Sequence, residues 1–448
     1  KVGLYVCGPT VYGYPHLGHA KSYITFDVIH RYLKYLGYDV KYVQNITDVG
    51  HLVGDVDEGE DKIEKQAKIE QTDPVAIAYN YENIYFDCMD KLNIERPTIS
   101  CRATGHIIEI IEAVKTLIEK GYAYVTDERN VYYRVKKFKG YGKLSGRNIE
   151  ENLSGERIEV KNDKESPEDF ALWKHAEKGH IMKWPSPWGE GYPGWHIECS
   201  IMSKKYLGET FDIHGGGMDN IFPHHECEIA QSEALNDKPF VNYFIHNNLV
   251  TVNGQKMGKS LGNFITLPDL FKEYEPKIIR FYVLLTQYRR PTDFEKEKIE
   301  ESIKNYEKIE KTYFKIKKET KNLESIEKDE EIENIKRDFL NAMDDDFNTS
   351  LAISHIYELI KIANSELNKN DKNLNKLKNI KNVLDECAVN ILGLKFEEKE
   401  ENKTDEKLLE YILNLRNQLR QNKNFELSDQ IRDDLTKLGY EVNDKKSN

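Results

Sequence analysis

Two histidines, in His16-Leu17-Gly18-His19, stand just after the first apolar run of the chain. If a helix opens there, its free backbone N–H groups and both imidazoles can donate to phosphate oxygens, and the glycine lets a base or phosphate approach the main chain. A second cationic element is Gly254-Gln255-Lys256-Met257-Gly258-Lys259-Ser260, which follows a hairpin expected at 250–254. Its lysines, in a Gly/Ser loop, form a movable clamp for β- and γ-phosphate charge; the glycine spacing of a Walker loop is absent. A third is His214-Gly215-Gly216-Gly217-Met218-Asp219. Consecutive glycines let the backbone lie flat against a base or ribose, and the Asp219 carboxylate can accept from ribose hydroxyls.

A metal set is also legible. Cys7 ends the first apolar run, Cys199 closes Gly194-Trp195-His196-Ile197-Glu198-Cys199, and His224 and Glu228 stand four apart on an expected helix. Two sulfurs, an imidazole and a carboxylate make a tetrahedral zinc set, provided a parallel sheet brings Cys7 to the same crevice. His225, Glu226 and Cys227 compete for the same places. A zincin-type hydrolase is disfavoured because its two histidines four apart are missing.

These residues need elements to position them. A strand over 2–6, a helix over 20–36 with an apolar stripe from Tyr23 to Leu36, and a strand over 39–43 make a βαβ unit, the seed of a doubly wound parallel sheet. A second set follows late, with a strand over 210–214 and a helix over 226–235. Between the halves lies an insertion with a helix at 107–121, a strand at 130–135, and a tail that includes Trp173, Trp184, Trp188 and Trp195. From about 295 the chain turns to long Lys/Glu/Asn helices, with low-complexity linkers expected at 364–381 and 397–407. The end, 408–442, reads as two amphipathic helices around Asn424 and a strand.

Composition sets the class. At 448 residues the chain is long enough for roughly three domains. No run approaches the ~18 uncharged apolar residues of a membrane span, and 278–285 is broken by Arg280. Six scattered cysteines argue against a secreted disulfide framework and for a reducing cytoplasm. The net charge of -12 means that any RNA-binding surface must be local. The opening at Lys1, directly before an apolar run, reads as a missing natural start.

Taken together the motifs resemble the class I aminoacyl-tRNA synthetases, with 16–19 and 256–260 as the two signatures, and within them the cysteinyl-tRNA synthetase family. The likeness extends through Tyr5 to Tyr12, 194–200, 211–219, 222–231 and the stretch Ala342-Met343-Asp344-Asp345-Asp346-Phe347-Asn348-Thr349. It implies an α/β Rossmann-type catalytic domain over 1–107 and 190–240, a connective insertion over 108–189, and a signature-loop and stem-contact region over 241–304. A helical bundle over 305–395 and a small α/β anticodon-binding domain over 405–448, shortened at its end, complete the expected order. Cys7, Cys199, His224 and Glu228 then bind one zinc ion, against His225 and Cys227, and Mg²⁺ accompanies ATP. Cys227 stands where the family has asparagine, and Gly258 where it has serine. Residues 48–60 form a longer acidic variant with no role assigned.

The resemblance further implies that cysteine attacks the α-phosphate of ATP, and that a terminal ribose hydroxyl of tRNA(Cys) then takes the cysteinyl group. His16, His19, Lys256 and Lys259 carry the catalysis, and Gly8, Thr10, Thr47, Trp195, Gly215, Gly216, Gly217, Asp219 and Lys259 line the cysteine and ATP pocket. Zinc selects the substrate thiolate over serine or alanine, which shape alone distinguishes by only ~1–3 kcal/mol, so no editing domain is expected. Arg420, Asp429 and Asp444 are the candidates for anticodon contact, and the basic run 134–139 for the acceptor arm. The expected protein is a cytoplasmic monomer without membrane contact. Two rivals share parts of this pattern: a tRNA-independent ligase joining cysteine to an amino sugar, and a non-catalytic RNA-binding paralogue.

Overall fold

The computed structural model describes residues 1–52, 59–147, 163–258, 261–323, 327–398, 403–422 and 424–437. Strand β1 (Val2–Val6) leads through a turn into helix α1 (Leu17–Tyr35), which returns the chain to β2 (Val40–Ile46). Helix α1 forms because Ala20, Tyr23, Ile24, Ile29 and Tyr32 recur at helical spacing, and all are buried. Helices α2 (Lys62–Glu70) and α3 (Pro74–Lys91), each capped by an aspartate side chain, carry the chain to β3 (Ile99–Arg102).

The insertion follows as α4 (Ile107–Glu119), β4 (Ala123–Val125), β5 (Val131–Tyr133), β6 (Phe170–His175), β7 (Trp184–Ser186) and β8 (Gly189–Pro193). Its strands form an antiparallel sheet in the order β4-β5-β6-β8-β7, with Trp173 fully buried in a second core. The chain re-enters the first sheet through α5 (Trp195–Leu207), β9 (Phe211–Gly217), α6 (Glu226–Asn236) and β10 (Val241–Asn247). All neighbours in that sheet are parallel, in the order β10-β9-β1-β2-β3. The order reverses between β1 and β9, and in such sheets the crevice beyond the strand ends at that point is where ligands bind.

A hairpin of β11 (Val250–Val252) and β12 (Gln255–Lys256) leads to α7 (Leu267–Glu273), α8 (Pro276–Leu284) and β13 (Thr292–Phe294), which pairs with β11 in parallel. Helices α9 (Lys296–Glu319), α10 (Glu330–Asp344), α11 (Thr349–Leu367) and α12 (Leu374–Leu384) follow. The linker expected at 364–381 is thus mostly helix, because Ile360, Ala363, Leu377, Ile380 and Leu384 recur at helical spacing and are buried despite the polar residues between them.

Residues 1–396 form one compact unit and 397–448 another. In the second, α13 (Lys403–Gln421) and α14 (Phe425–Lys437) are the two helices expected around Asn424, joined by a bond from Arg416 Nε to the Ser428 carbonyl at 3.3 Å. The strand expected after them lies outside the described residues, as do Lys259 and Asp444. Among the described residues no helix is long and apolar enough to cross a membrane, and the six cysteines are free and buried.

Candidate active site

A cavity of about 400 Å³ opens at the reversal point of the parallel sheet. His16 caps α1: its Nδ1 accepts from the Gly18 N–H at 3.1 Å, while the His16 N–H donates to His19 Nδ1 at 3.1 Å. The two rings stack with centroids 3.9 Å apart, and both border the cavity. Burial, reinforced by the His16 ring, holds the His19 imidazole well below the ordinary histidine range. The first backbone N–H groups of α1 are already taken, those of His16 and Gly18 by the two imidazoles and that of Leu17 by the Ile265 carbonyl, so it is the two rings that face the cavity as donors. Lys256 also borders the cavity, its ammonium 3.5 Å from Asp219 Oδ1, with both side chains largely exposed. The segment after it is braced by Asn263, whose Oδ1 accepts from the Gly258 N–H at 2.9 Å.

Gly8, Thr10, Thr47, Trp195 and Gly217 line the same cavity. A Cβ at Gly8 would fall 1.6 Å from the Asn45 carbonyl oxygen, so only glycine permits that crossing of β1 and β2. Gly215 and Gly216 are not among the residues that line the cavity, and both are closely packed. A Cβ at Gly215 would meet the Phe26 ring at 2.3 Å, and one at Gly216 the His225 ring at 2.9 Å; both residues make room for packing beneath the site.

The cavity floor holds the sulfurs. Ligand atoms of Cys7, Cys199, His224 and Glu228 all lie within 4.8 Å of one another, and all four side chains are buried. His224 Nε2 is 3.1 Å, and Cys7 Sγ 3.9 Å, from Glu228 Oε1. Burial and the neighbouring Cys199 and Glu228 push the Cys7 thiol up. Burial acts upward on Cys199 too, but hydrogen bonds from Cys7 and His224 outweigh it and bring that thiol to about 6. At Glu228 burial opposes ionisation, yet His214 and His224 hold the carboxyl well below its usual range. Burial opposes charge on His224, but Glu228 and Cys199 outweigh it and raise the imidazole to about 10, so His224 is the cation these groups face; an S₂NO donor set of this compactness can hold a metal ion in place of that proton.

Comparison with known proteins agrees with this geometry. Residues 1–304 match the family described as tRNA synthetases class I (C) catalytic domain, and 338–397 match the DALR domain. The cysteine--tRNA ligase of Chlorobaculum tepidum is 49% identical over 454 residues, covering 98% of this chain and 92% of that protein. That of Thermus thermophilus is 46% identical, covering 99% of this chain and 93% of its own. The chain belongs to the cysteine–tRNA ligase family. A methionyl-tRNA synthetase structure from Mycobacterium tuberculosis, bound by methionyl-adenylate, shares the fold with this cysteine–tRNA ligase family member at TM-score 0.64 and 14% identity, over 88% of this chain and 91% of that one.

Placing the rival residues in this cysteine–tRNA ligase family member separates them. Cys227 faces the second core, its sulfur 3.4 Å from the Tyr141 hydroxyl. Glu226 accepts backbone N–H bonds from Gly142, Leu144 and Ser145 at 3.0, 2.7 and 2.6 Å, tying the insertion to α6. His225 does share the floor: with Cys7, His214 and Glu228 it makes a second compact donor group. Its Nε2 is 3.4 Å from Cys7 Sγ and its Nδ1 2.8 Å from His246 Nε2, while His196 Nδ1 lies 2.9 Å from His224 Nδ1.

Sequence reading overlooked His196, His214 and His246 as supports for the cysteine–tRNA ligase site; nearness to Trp195 and to the glycine run was the signal for the first two. His51 was also missed. It comes from the otherwise unassigned 48–60 stretch, stacks on Trp195 at 4.1 Å and contacts Thr10 Oγ1 at 2.5 Å. Arg420 is exposed on α13, and Asp429 on α14 is 3.3 Å from Arg432. In the basic run, Arg134 is bidentate to Glu165 at 2.8 and 2.7 Å, which offsets charge that RNA would otherwise meet.

Proposed function

We propose that this chain activates L-cysteine with ATP and transfers the cysteinyl group to tRNA(Cys). The observation that carries the reading is that one cleft has a sulfur-containing donor set on its floor and the stacked imidazoles of His16 and His19 on its wall, with Lys256 at its mouth. In the first step the cysteine carboxylate attacks the α-phosphorus of ATP, which enters with Mg²⁺, and the bond to pyrophosphate breaks. In the second, a terminal ribose hydroxyl attacks the acyl carbon and AMP leaves.

No protein nucleophile is needed. The two signature imidazoles donate to the phosphates, while Lys256 and Lys259 neutralise the departing pyrophosphate. Trp195 and His51 wall the amino-acid side, and Asp219 accepts from the ribose. A zinc ion held by Cys7, Cys199, His224 and Glu228 supplies a soft Lewis-acid seat that favours the sulfur of cysteine over the hydroxyl of serine. Arg420, Asp429 and Asp444 read the anticodon. One copy carries all the residues assigned to the reaction, which supports action as a monomer, and six free cysteines support a reducing cytoplasm.

The test is cysteine-dependent ATP–pyrophosphate exchange, with serine as control, before and after zinc chelation. Exchange with cysteine that is lost on chelation and returns with zinc is expected. A folded, zinc-loaded protein without exchange overturns the reading and favours the RNA-binding paralogue. Exchange without charging of tRNA(Cys), but with transfer to an amino sugar, moves the acceptor.

A further inference from the structure

Lys21 lies on α1 two residues beyond His19, with only 1% of its surface exposed. Its ammonium donates to two backbone carbonyls distant in sequence, Leu249 at 3.2 Å and Arg290 at 2.5 Å. Leu249 immediately precedes β11, and Arg290 stands two residues before β13, the parallel partner of β11. Next to it, Ser22 Oγ donates to Asn247 Oδ1 at 2.9 Å. The stretch 247–249 therefore docks on α1 just before the chain enters the hairpin that ends at Lys256.

The far end of the signature loop is held to the same helix start. The Leu17 N–H donates to the Ile265 carbonyl at 3.2 Å, and the Leu267 N–H to the Pro15 carbonyl at 2.8 Å. Both ends of the Lys256 segment are thus tied to residues 15–22, with His16 and His19 between the ties. Lys21 forms no ion pair with a carboxylate among the described residues, and burial draws its ammonium down to about 7. An apolar side chain of the same length would fill this space without desolvating a cation. What only the lysine adds is a multi-pronged donor that joins three separate segments.

We propose that Lys21 is a positioning residue for adenylate formation: by joining the Leu249 and Arg290 carbonyls to α1, it fixes the hairpin carrying Lys256 relative to the helix end carrying His16 and His19. This rests on the activation reaction proposed above. A displacement of about 1 Å between groups that must act on one transition state can cost ~100-fold in rate.

The experiment compares Lys21→Met, which keeps length and loses the donors, with Lys21→Arg, which keeps cation and donors. Two readouts are taken: exchange kinetics, and deuterium uptake of peptides over 247–256. In Lys21→Met, kcat/KM for ATP falls ~10- to 100-fold with KM for cysteine unchanged, and uptake rises over 247–256 but not over β1. Lys21→Arg, which keeps a cation and donors, recovers part of the exchange and of the protection over 247–256 that Lys21→Met loses. Parent-like uptake and ATP kinetics in Lys21→Met, or an arginine variant as impaired as the methionine one, overturn the proposal. If Lys21→Met does not fold, Lys21→Gln decides by the same readouts, since its amide reaches one carbonyl at most. A parent protein without exchange defeats the activation reading, while the uptake measurement still judges the tie.

Discussion

His214 Nε2 lies 2.8 Å from Glu228 Oε2, and both side chains are fully buried. The contact occupies one carboxylate oxygen and leaves Oε1 turned toward His224 and Cys7. His214 thus orients Glu228, a proposed metal ligand, without joining the Cys7–Cys199–His224–Glu228 set. Replacing such an outer partner usually costs ~10- to 100-fold in metal affinity. His214→Asn is expected to weaken zinc binding by that factor, read by competition with a chromophoric chelator. Parent-like affinity would show that Glu228 needs no such support.

Lys256 stands at the mouth of the cleft with its charge in solvent, so its removal disturbs no core. Lys256→Ala should lower cysteine-dependent exchange on the order of 100-fold, the usual loss for one charge-stabilising donor. Cysteine binding, measured by calorimetry, should hold steady. Equal losses in both would point to a misfolded cleft instead.

Arg280 is buried against Asp27 and also donates to the carbonyls of Leu392, Leu92 and Asn93 at 2.9, 3.0 and 3.1 Å. It therefore joins α1, the turn after α3 and the end of the helical region. Arg280→Met leaves the buried Asp27 with Arg31 as its remaining cation, at 2.8 Å, and removes three carbonyl bonds; it should cost about 3 kcal/mol in urea unfolding, the lower end for a broken buried pair. Adding Asp27→Asn should recover part of that loss. A single variant as stable as the parent would exclude the pair as a fastening point.

Glu95 faces His30 at 3.2 Å and Lys34 at 2.7 Å. The hydrogen bond with His30, followed by those from Lys34 and the Arg31 charge, outweighs burial and holds its carboxyl at about 2. A carboxyl lowered on folding contributes stability that is fully present above its unfolded value of ~4.3 and is lost as pH falls toward the folded one. Acid unfolding of Glu95→Gln should therefore be less steep between about pH 4.3 and pH 2 than that of the parent. Matching profiles would assign the acid sensitivity to other carboxylates.

The local record in the sequence was good where chemistry and structure are written in adjacent residues. The apolar spacing of 20–36 marks α1, whose observed range is Leu17–Tyr35, and the two signatures stand next to the turns that expose them. Resemblance to a family supplied the pairing of Cys7 with Cys199, His224 and Glu228, which spacing alone left open among three neighbours. Reading low-complexity composition as a linker failed at 364–381, because a few buried isoleucines and leucines suffice to hold a helix.

Tertiary structure alone decided the directions of neighbouring side chains. Glu226, Cys227 and Glu228 are consecutive, yet one caps an insertion loop, one fills a core and one faces the sulfurs. Helix rotation separates them by about 100° per residue, and only the placement of α6 between the two cores says which direction is the cleft. The glycines at 215 and 216 follow the same logic, since what they yield to is the Phe26 and His225 rings far off in the chain or on another element. Lys21 reaches carbonyls 228 and 269 residues away, and Cys7 meets Glu228 across 221. Residue type and local spacing determine what a group can do; which groups meet is set by the closure of the sheet, whose contacts no short window of sequence contains.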